Sequence, residues 1–260
     1  MNYEDRVLCF VDILGFRSQI KETLDTQGQG LPTKIKNIAD AFMFIRELLD
    51  IDKPDENRGR AVTQFSDSIV ISFPIHEQSE VFWTLNELFS LQVNLVWRGM
   101  LCRGAAVQGK VIHTDRIIFG PAMVEAYDLE SKAALFPRII LGDSLLEVAK
   151  HAPASHHSPE LEVEAIMSML QRDIDGMWYI DYITRGQGEL DDPEEDYPAY
   201  LDKLTTIVRK GMQSRDVPLR LKYQWIREKL APHVAAVKAG SSRLPAGDER
   251  KDAYASLPDL

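Results

Sequence analysis

Near its start the chain carries a run of apolar residues that ends in a carboxylate. Residues 7–11 are Val, Leu, Cys, Phe and Val, which favour a buried β-strand, and Asp12 follows them directly. An ionised carboxylate at the end of a buried strand is costly unless a cation meets it. The sequence therefore predicts a strand over residues 7–12 whose last side chain needs a cationic partner.

A second carboxylate stands in a similar context. Asp67 lies in the link "SDS" between apolar runs at 61–65 and 69–73, and so short a polar link predicts a β-hairpin. If the hairpin neighbours the first strand, Asp12 and Asp67 face each other across the sheet. Two close carboxylates repel unless a divalent cation neutralises them, and oxygen ligands suit Mg²⁺ or Mn²⁺. The structural alternative is that Asp67 caps a turn and Asp12 caps the next helix.

The remaining pattern predicts an α+β fold, in which helices cover a mainly antiparallel sheet and a helical extension follows. Helices are predicted over 31–49, 77–98, 122–136, 197–212 and 217–238, and further strands over 101–107, 109–118, 138–141 and 178–183. We expect a main domain over residues 1–150, an extension of a strand plus helices packed on it over 151–240, and a flexible tail over 241–260.

The composition limits the kinds of partner that the chain is expected to bind. The formal net charge of −10 over 260 residues argues against a broad electrostatic hold on nucleic acid. No apolar segment approaches the length of a membrane span, and Glu4 and Asp5 precede a short apolar run, so neither a membrane segment nor a signal peptide is expected. Cys9 and Cys102 both sit in apolar runs, which favours buried, reduced thiols and a cytoplasmic location.

Four segments together resemble the class III nucleotidyl cyclases. "FVDILGF" is similar to that family's first metal-binding strand and phosphate loop, and "FSDSIVIS" stands where the family has its second metal aspartate, with Ser66 in place of the usual glycine. "CRGAAVQGKV" (102–111) and "FGPAMVEAYDLESKA" (119–133) are similar to later segments of the fold. The resemblance covers about residues 6–142, so it makes residues 1–150 a nucleotide cyclase catalytic domain.

The resemblance implies a site. Asp12 and Asp67, with the Ile13 carbonyl as a further ligand, would bind two divalent ions, Mn²⁺ or Mg²⁺. The backbone of Leu14, Gly15 and Phe16 would cradle the triphosphate at a helix N-terminus. The ions would promote in-line attack of the ribose 3′-hydroxyl on the α-phosphate, with loss of pyrophosphate.

The chain differs from the purine-specific cyclases at the residues that read the nucleotide base. Thr63 stands where adenylate cyclases have a lysine, and Ile117 where they have an aspartate. A site without both purine-reading groups would hold adenine poorly. Thr63 can donate or accept a hydrogen bond, and Tyr127 could stack on a smaller base, although core packing is the simpler interpretation of Tyr127.

The predicted helix over 122–136 also differs from the family pattern. Val124 replaces the usual asparagine and Asp128 the usual transition-state arginine, so a substitute cation is needed. Lys132 lies one helical turn beyond Asp128, and Arg103 sits on a strand near the presumed cleft. A surface pair with Asp128 is an equally good interpretation of Lys132, and a structural ion pair an equally good one of Arg103.

Retained metal aspartates with altered base readers make the whole chain resemble the bacterial pyrimidine cyclases of the Pycsar antiphage systems. "AYDLESKAALFPRI" (126–139) and "KYQWIREKL" (222–230) fit the same resemblance. It implies a homodimer with composite sites, UTP or CTP as substrate, and a cyclic pyrimidine nucleotide that activates a separate effector. UTP is favoured on overall resemblance, with a cytidylate cyclase as the alternative.

Two other functions stay open. A non-catalytic nucleotide-sensing module on the same fold would explain Val124 and Asp128, whereas the retention of both Asp12 and Asp67 opposes it. A purine cyclase or a cyclic-dinucleotide synthase is the remaining enzyme alternative. The synthase ranks low, because it would normally carry a Gly-Gly-acid-acid hairpin where this chain has Phe-Ser-Asp-Ser.

Overall fold

In the computed structural model, which describes residues 2–53, 59–245 and 247–260, the first apolar run forms strand β1 (Glu4–Ile13). Its side chains from Val7 to Val11 are at most 6% exposed, so both faces of the strand are buried. β1 pairs antiparallel with β3 (Ser68–Pro74) on one side and with β4 (Cys102–His113) on the other. The predicted first strand is confirmed and extends further at both ends.

The sheet built around β1 confirms the predicted α+β architecture with mainly antiparallel strands. Its order is β2-β3-β1-β4-β6-β8-β7, with β5 paired to β4, and the β4–β6 pair is the parallel one. The remaining bounds are β2 (Ala61–Phe65), β5 (Ile118–Phe119), β6 (Ile139–Leu141), β7 (Leu170–Arg172) and β8 (Trp178–Ile180). The predicted hairpin is β2–β3. The polar stretch "DKPDENRGR" (52–60), which predicts a turn before the hairpin, lies partly outside the described residues.

The described helices confirm most of the predicted ones and add others. They are α1 (Phe16–Glu22), α2 (Pro32–Leu48), α3 (Glu80–Trp97), α4 (Pro121–Lys132), α5 (Asp143–His151), α6 (Pro159–Met167), α7 (Tyr197–Met212), α8 (Val217–Ser241) and α9 (Glu249–Ala255). The resemblance implied a helix N-terminus at residues 14–16, and α1 begins there. Short α5, α6 and α9 escaped prediction, since few apolar positions recur in such short helices. Within the described ranges, no helix combines the length and hydropathy needed to cross a bilayer.

Two predicted boundaries were wrong for identifiable reasons. The strands predicted on either side of Gly109 are one strand, β4, because Gly109 pairs with Arg6 in the ladder and leaves room for Ala122 to approach. The strand predicted over 178–183 ends at Ile180. There the Asp181 carboxylate accepts hydrogen bonds from the backbone N–H groups of Ile183 and Thr184, which turns the chain.

The described residues form two compact units. The first comprises the chain up to Leu91 together with Leu101–Ile180, and in it α4 packs on the sheet over a cluster that includes Leu8, Phe10 and Val107. The second comprises Gln92–Met100 and Asp181–Leu260, so α3 begins in one unit and ends in the other.

The second unit contains the helices predicted as a C-terminal extension. In it the Trp97 and Tyr200 rings lie 6.0 Å apart. Helix α9 forms within the segment predicted as a flexible tail, where the Asp248 side chain caps its start and Asp259 pairs with Lys238 at 2.7 Å. The functional domain boundaries and the flexibility of the tail stay predictions.

The contact between β1 and β4 yields a stability prediction. A Cβ atom added at Gly104 would lie 2.5 Å from the Phe10 carbonyl oxygen, closer than any real contact, so the two strands would have to separate. We expect Gly104→Ala to lower the free energy of unfolding by about 1–3 kcal/mol, measured by urea denaturation. Gly188→Ala is the control, because nothing lies within 4 Å of its added Cβ. Equal denaturation midpoints for the two variants would contradict the packing described.

Candidate functional site

The register of β1 places Asp12 between two polar side chains. Its Cα partner on β3 is Ser68, and its Cα partner on β4 is Arg103. The Ser68 hydroxyl donates a hydrogen bond to Asp12 Oδ1 at 3.3 Å, and the carboxylate is half-buried. Asp12 is therefore presented at the edge of the core, next to a cationic strand neighbour.

The β2–β3 hairpin brings Asp67 to the same end of β1. The Ile13 N–H donates to the Asp67 carbonyl oxygen at 3.0 Å, which fixes the backbone of Asp67 beside the residue that follows Asp12. Ser66 takes a left-handed conformation with φ of +54°, a position that favours glycine. The tight turn keeps Asp67 close to the sheet, so the structure places the backbones of Asp12 and Asp67 at the same end of β1.

These residues suit a hard divalent cation that is shared with a ligand. Within the described residues, no group of three or more His, Cys, Asp or Glu side chains is placed to hold a metal ion. Two carboxylates supplemented by backbone oxygen, substrate phosphate and water match the way Mg²⁺ is usually held. Asp12 and Asp67 supply carboxylate oxygen, which is the ligand type that such an ion prefers.

The loop after β1 is only partly available to a phosphate. Gly15, which precedes α1, has a φ of +72°. Only glycine adopts this left-handed conformation at little cost. The Leu14 N–H, predicted as part of the cradle, donates to the Leu101 carbonyl oxygen at 2.7 Å. The cradle prediction therefore depends on the backbone of Gly15 and Phe16, and the Phe16 ring is held by stacking on Phe42, 5.5 Å away.

The two candidate cations differ in their surroundings. Arg103 Nε lies 2.5 Å from Oε1 of Glu130 on α4, and the carboxylate side chain is only 3% exposed. Lys132 Nζ pairs with Asp128 at 2.9 Å along the same helix, and its side chain is 72% exposed. The ion pair expected for Arg103 as a structural alternative is present, and so is the surface pair of Lys132 with Asp128. Arg103 lies beside a buried carboxylate on the strand next to Asp12, whereas Lys132 is a surface side chain.

The outer face of α4 carries an exposed apolar patch. Val124 is 63% exposed and Tyr127 53%, and the Tyr127 ring meets Phe10 edge-on at 5.7 Å. Val124, Asp128 and Lys132 line an open pocket of about 820 Å³ together with Tyr3 and the start of the helix. Residues 124, 128 and 132 therefore lie on one face of α4.

Thr63 belongs to a buried polar network that sequence reasoning missed. Its hydroxyl lies 2.9 Å from His113 Nε2, and Nδ1 of the same ring lies 2.9 Å from the Ser72 hydroxyl. Arg6 Nε donates to that Ser72 hydroxyl at 3.0 Å. His113 is 8% exposed. Burial, with a contribution from the Arg6 charge, lowers the pKa of His113 to about 4, so the imidazole is neutral at physiological pH.

No protein-family profile and no curated protein matches this chain. Solved structures do match parts of it. The adenylyl cyclase CyaB from P. aeruginosa is 13% identical, with a TM-score of 0.44 over 68% of this chain and 94% of the other. The catalytic core of a rhodopsin-guanylyl cyclase with converted specificity, in complex with ATPαS, is 15% identical, with a TM-score of 0.41 over 69% and 96%.

A bacterial light-regulated adenylyl cyclase is 15% identical with a TM-score of 0.40, over 56% of this chain. This chain spans 45% of the length of that protein. Identities and TM-scores this low do not assign the chain to a family, so its function has to be argued from its own residues.

The buried His113 predicts a pH dependence of stability. Because its pKa is about 4 in the folded chain and 6.5 ordinarily, the unfolded chain binds the extra proton between these values. The stabilisation is complete above about pH 6.5 and is lost as the pH falls towards 4. Relative to His113→Gln, we expect the wild type to lose up to about 3 kcal/mol of unfolding free energy across this window, measured by denaturant titration at each pH. Parallel profiles for the two proteins would show that His113 is not buried in its neutral form.

Proposed function

We propose that the chain is a class III nucleotide cyclase that converts a pyrimidine nucleoside triphosphate into its 3′,5′-cyclic monophosphate and pyrophosphate. UTP is the leading substrate, which gives cyclic UMP, and CTP is the alternative. The observation that carries the proposal is the meeting of Asp12 and Asp67 at the end of β1, with Arg103 as the strand neighbour of Asp12.

Asp12, Asp67 and the Ile13 carbonyl oxygen would hold two divalent ions, Mn²⁺ or Mg²⁺. When bound, such ions supply neutralisation of phosphate charge and a lowered pKa of the ribose 3′-hydroxyl. The structural support is the donor set itself: two carboxylates on adjacent backbone segments, one of them steadied by Ser68.

The chain's own residues orient the reaction. The 3′-oxygen attacks the α-phosphorus while the bond from that phosphorus to the bridging oxygen breaks, and the departing pyrophosphate carries away the negative charge. Backbone N–H groups at Gly15 and Phe16 would bind the phosphates. Arg103, which pairs with Glu130, would face the charge that develops, and Lys132 would reach it once its surface pair with Asp128 opens.

The residues at the positions of the purine-reading groups support a base smaller than a purine. Neither the lysine nor the aspartate that purine cyclases use is present, because Thr63 and Ile117 take their places. Thr63 is half-buried, whereas Tyr127 is exposed on α4 and could stack on a base. Recognition would therefore depend on a hydroxyl and on stacking.

A homodimer with composite sites accompanies this proposal. Val124 and Tyr127 form an exposed apolar patch on α4, and Phe119 is 46% exposed nearby in the sequence. Apolar patches of this kind mark interaction surfaces, and a symmetric pair is the commonest assembly. The product would act as a cytoplasmic second messenger in antiphage defence, through a separate effector that binds the cyclic nucleotide.

The second candidate function is a nucleotide-sensing module without catalysis. The surface pair of Asp128 with Lys132 favours it, because a carboxylate stands where a transition-state cation is expected. The two candidates differ in whether a product forms.

The decisive test is incubation of the purified chain with ATP, GTP, CTP and UTP in Mn²⁺, followed by chromatography of the products. We expect a cyclic pyrimidine nucleotide from the wild type. Asp12→Asn and Asp67→Asn should each lower the rate by at least about a hundredfold, since each removes a charged ligand. Asp40→Asn is the control, because Asp40 is an exposed carboxylate paired with Lys36 on α2.

Cyclic UMP or cyclic CMP from the wild type and the control, but not from the site variants, would support the cyclase. A folded wild-type protein that binds a pyrimidine nucleotide but forms no product would support the sensing module instead. A purine product would overturn the proposed base preference.

A further inference from the structure

We propose that Glu130 is a positioning residue that draws the Arg103 guanidinium away from Asp12, so that the Asp12 carboxylate stays available to a divalent cation. This inference rests on the proposed function, which places that cation at Asp12. It assigns a role to a buried carboxylate that the sequence did not single out. It also decides between two cations, a guanidinium and a metal ion, as the partner of the carboxylate at the end of β1.

Glu130 continues the row of side chains that α4 presents to the sheet. Ala122, Ala126 and Glu130 are each at most 2% exposed, and their spacing of four residues places them on one helical face. The two alanines pack in the apolar cluster that lies over β1 and β4. A carboxylate at the third position of this row is costly to bury unless a charged partner meets it.

Arg103 is the charged partner of Glu130. Its Nε lies 2.5 Å from Glu130 Oε1, with 3% of the Glu130 side chain and 20% of the Arg103 side chain exposed. An ion pair that is this well shielded from water is screened by salt much less than a surface pair is. The contact therefore places the positive charge of Arg103 beside Glu130.

Asp12 offers Arg103 a second carboxylate. The two residues are directly opposite each other in the ladder between β1 and β4. Opposite residues of an antiparallel pair project from the same face of the sheet, with Cβ atoms roughly 5 Å apart, and opposite charges at such positions attract each other. Arg103 is therefore a strand neighbour of one carboxylate and the ion-pair partner of another.

The position of the Arg103 charge affects a divalent cation at Asp12 in two ways. A guanidinium paired with Asp12 would occupy carboxylate oxygen that the cation needs, and its positive charge would repel the cation. Glu130 opposes both effects, because it competes for the guanidinium and sets a negative charge beside it. Loss of the Glu130 charge should therefore weaken cation binding at a site that Glu130 itself does not form.

Titration of the folded chain with Mn²⁺, followed by electron paramagnetic resonance of the free ion, tests the inference without requiring turnover. We expect Glu130→Gln to weaken Mn²⁺ binding by about tenfold, because Arg103 then turns to Asp12. Adding Arg103→Met to that variant should restore the affinity to within about threefold of the wild type, since the competing charge is gone. Glu125→Gln is the matched control and should change the affinity by less than about twofold, because it removes an equal but exposed charge from α4.

Glu130→Asp keeps the charge on α4, so the inference stays testable if Glu130→Gln does not fold. Its shorter side chain draws Arg103 less far from Asp12, and we expect Mn²⁺ binding about threefold weaker than in the wild type. Unchanged affinity in the Glu130 variants would overturn the inference. Weaker binding that persists when Arg103→Met is added would overturn it too, because Glu130 would then act on the fold and not through Arg103.

The inference and the proposed function fail separately. Mn²⁺ binding that depends on Glu130 through Arg103, in a protein that makes no cyclic product, would support the inference and contradict the cyclase. A cyclic product from a wild type whose Mn²⁺ affinity does not change in Glu130→Gln would support the cyclase and contradict the inference.

Discussion

The register of β1 between β3 and β4 is the constraint on which the candidate site depends. Asp12 comes to lie between Ser68 and Arg103 because seven Cα pairs on one side and ten on the other fix the strand. A shift by one residue would turn Asp12 to the opposite face and put Ile13 opposite Ser68 and Arg103. The polar residues at the two ends of the run oppose that shift, because Arg6 bonds to Ser72 and Asp12 accepts from Ser68 only in this register.

The face of the sheet that carries Asp12 divides into an apolar and a polar part. Leu8, Phe10 and Val107 pack under α4, and Glu130 reaches from the same helix to Arg103. Towards β2 and the far end of β4, Thr63 and His113 form a polar network instead. Buried polar groups are costly unless they are hydrogen-bonded, and the contacts of His113 with Thr63 and Ser72 offset that cost here.

Sequence patterns predicted the residues that local context identifies, and they missed the residues whose role depends on contacts between distant segments. The apolar run before Asp12 and the link around Asp67 specified a strand and a hairpin, and the pairing of β1 with β3 confirmed that they are neighbours. His113 could have been found by alternation, because it has the same parity as Arg103 along one continuous strand. The expected break at Gly109 hid that parity. Glu130 could not be predicted from the sequence, since its pairing with Arg103 depends on how α4 packs on the sheet.

The central claim is that Asp12 and Asp67 act as one cation-binding pair at the end of β1. The most direct measurement is a titration of the purified chain with Mn²⁺, followed by electron paramagnetic resonance of the free ion. The account predicts that Asp12→Asn and Asp67→Asn each weaken Mn²⁺ binding by at least about tenfold, because one carboxylate alone is a poor ligand set. Mn²⁺ binding that is unchanged in both variants, or absent from the wild type, would contradict it.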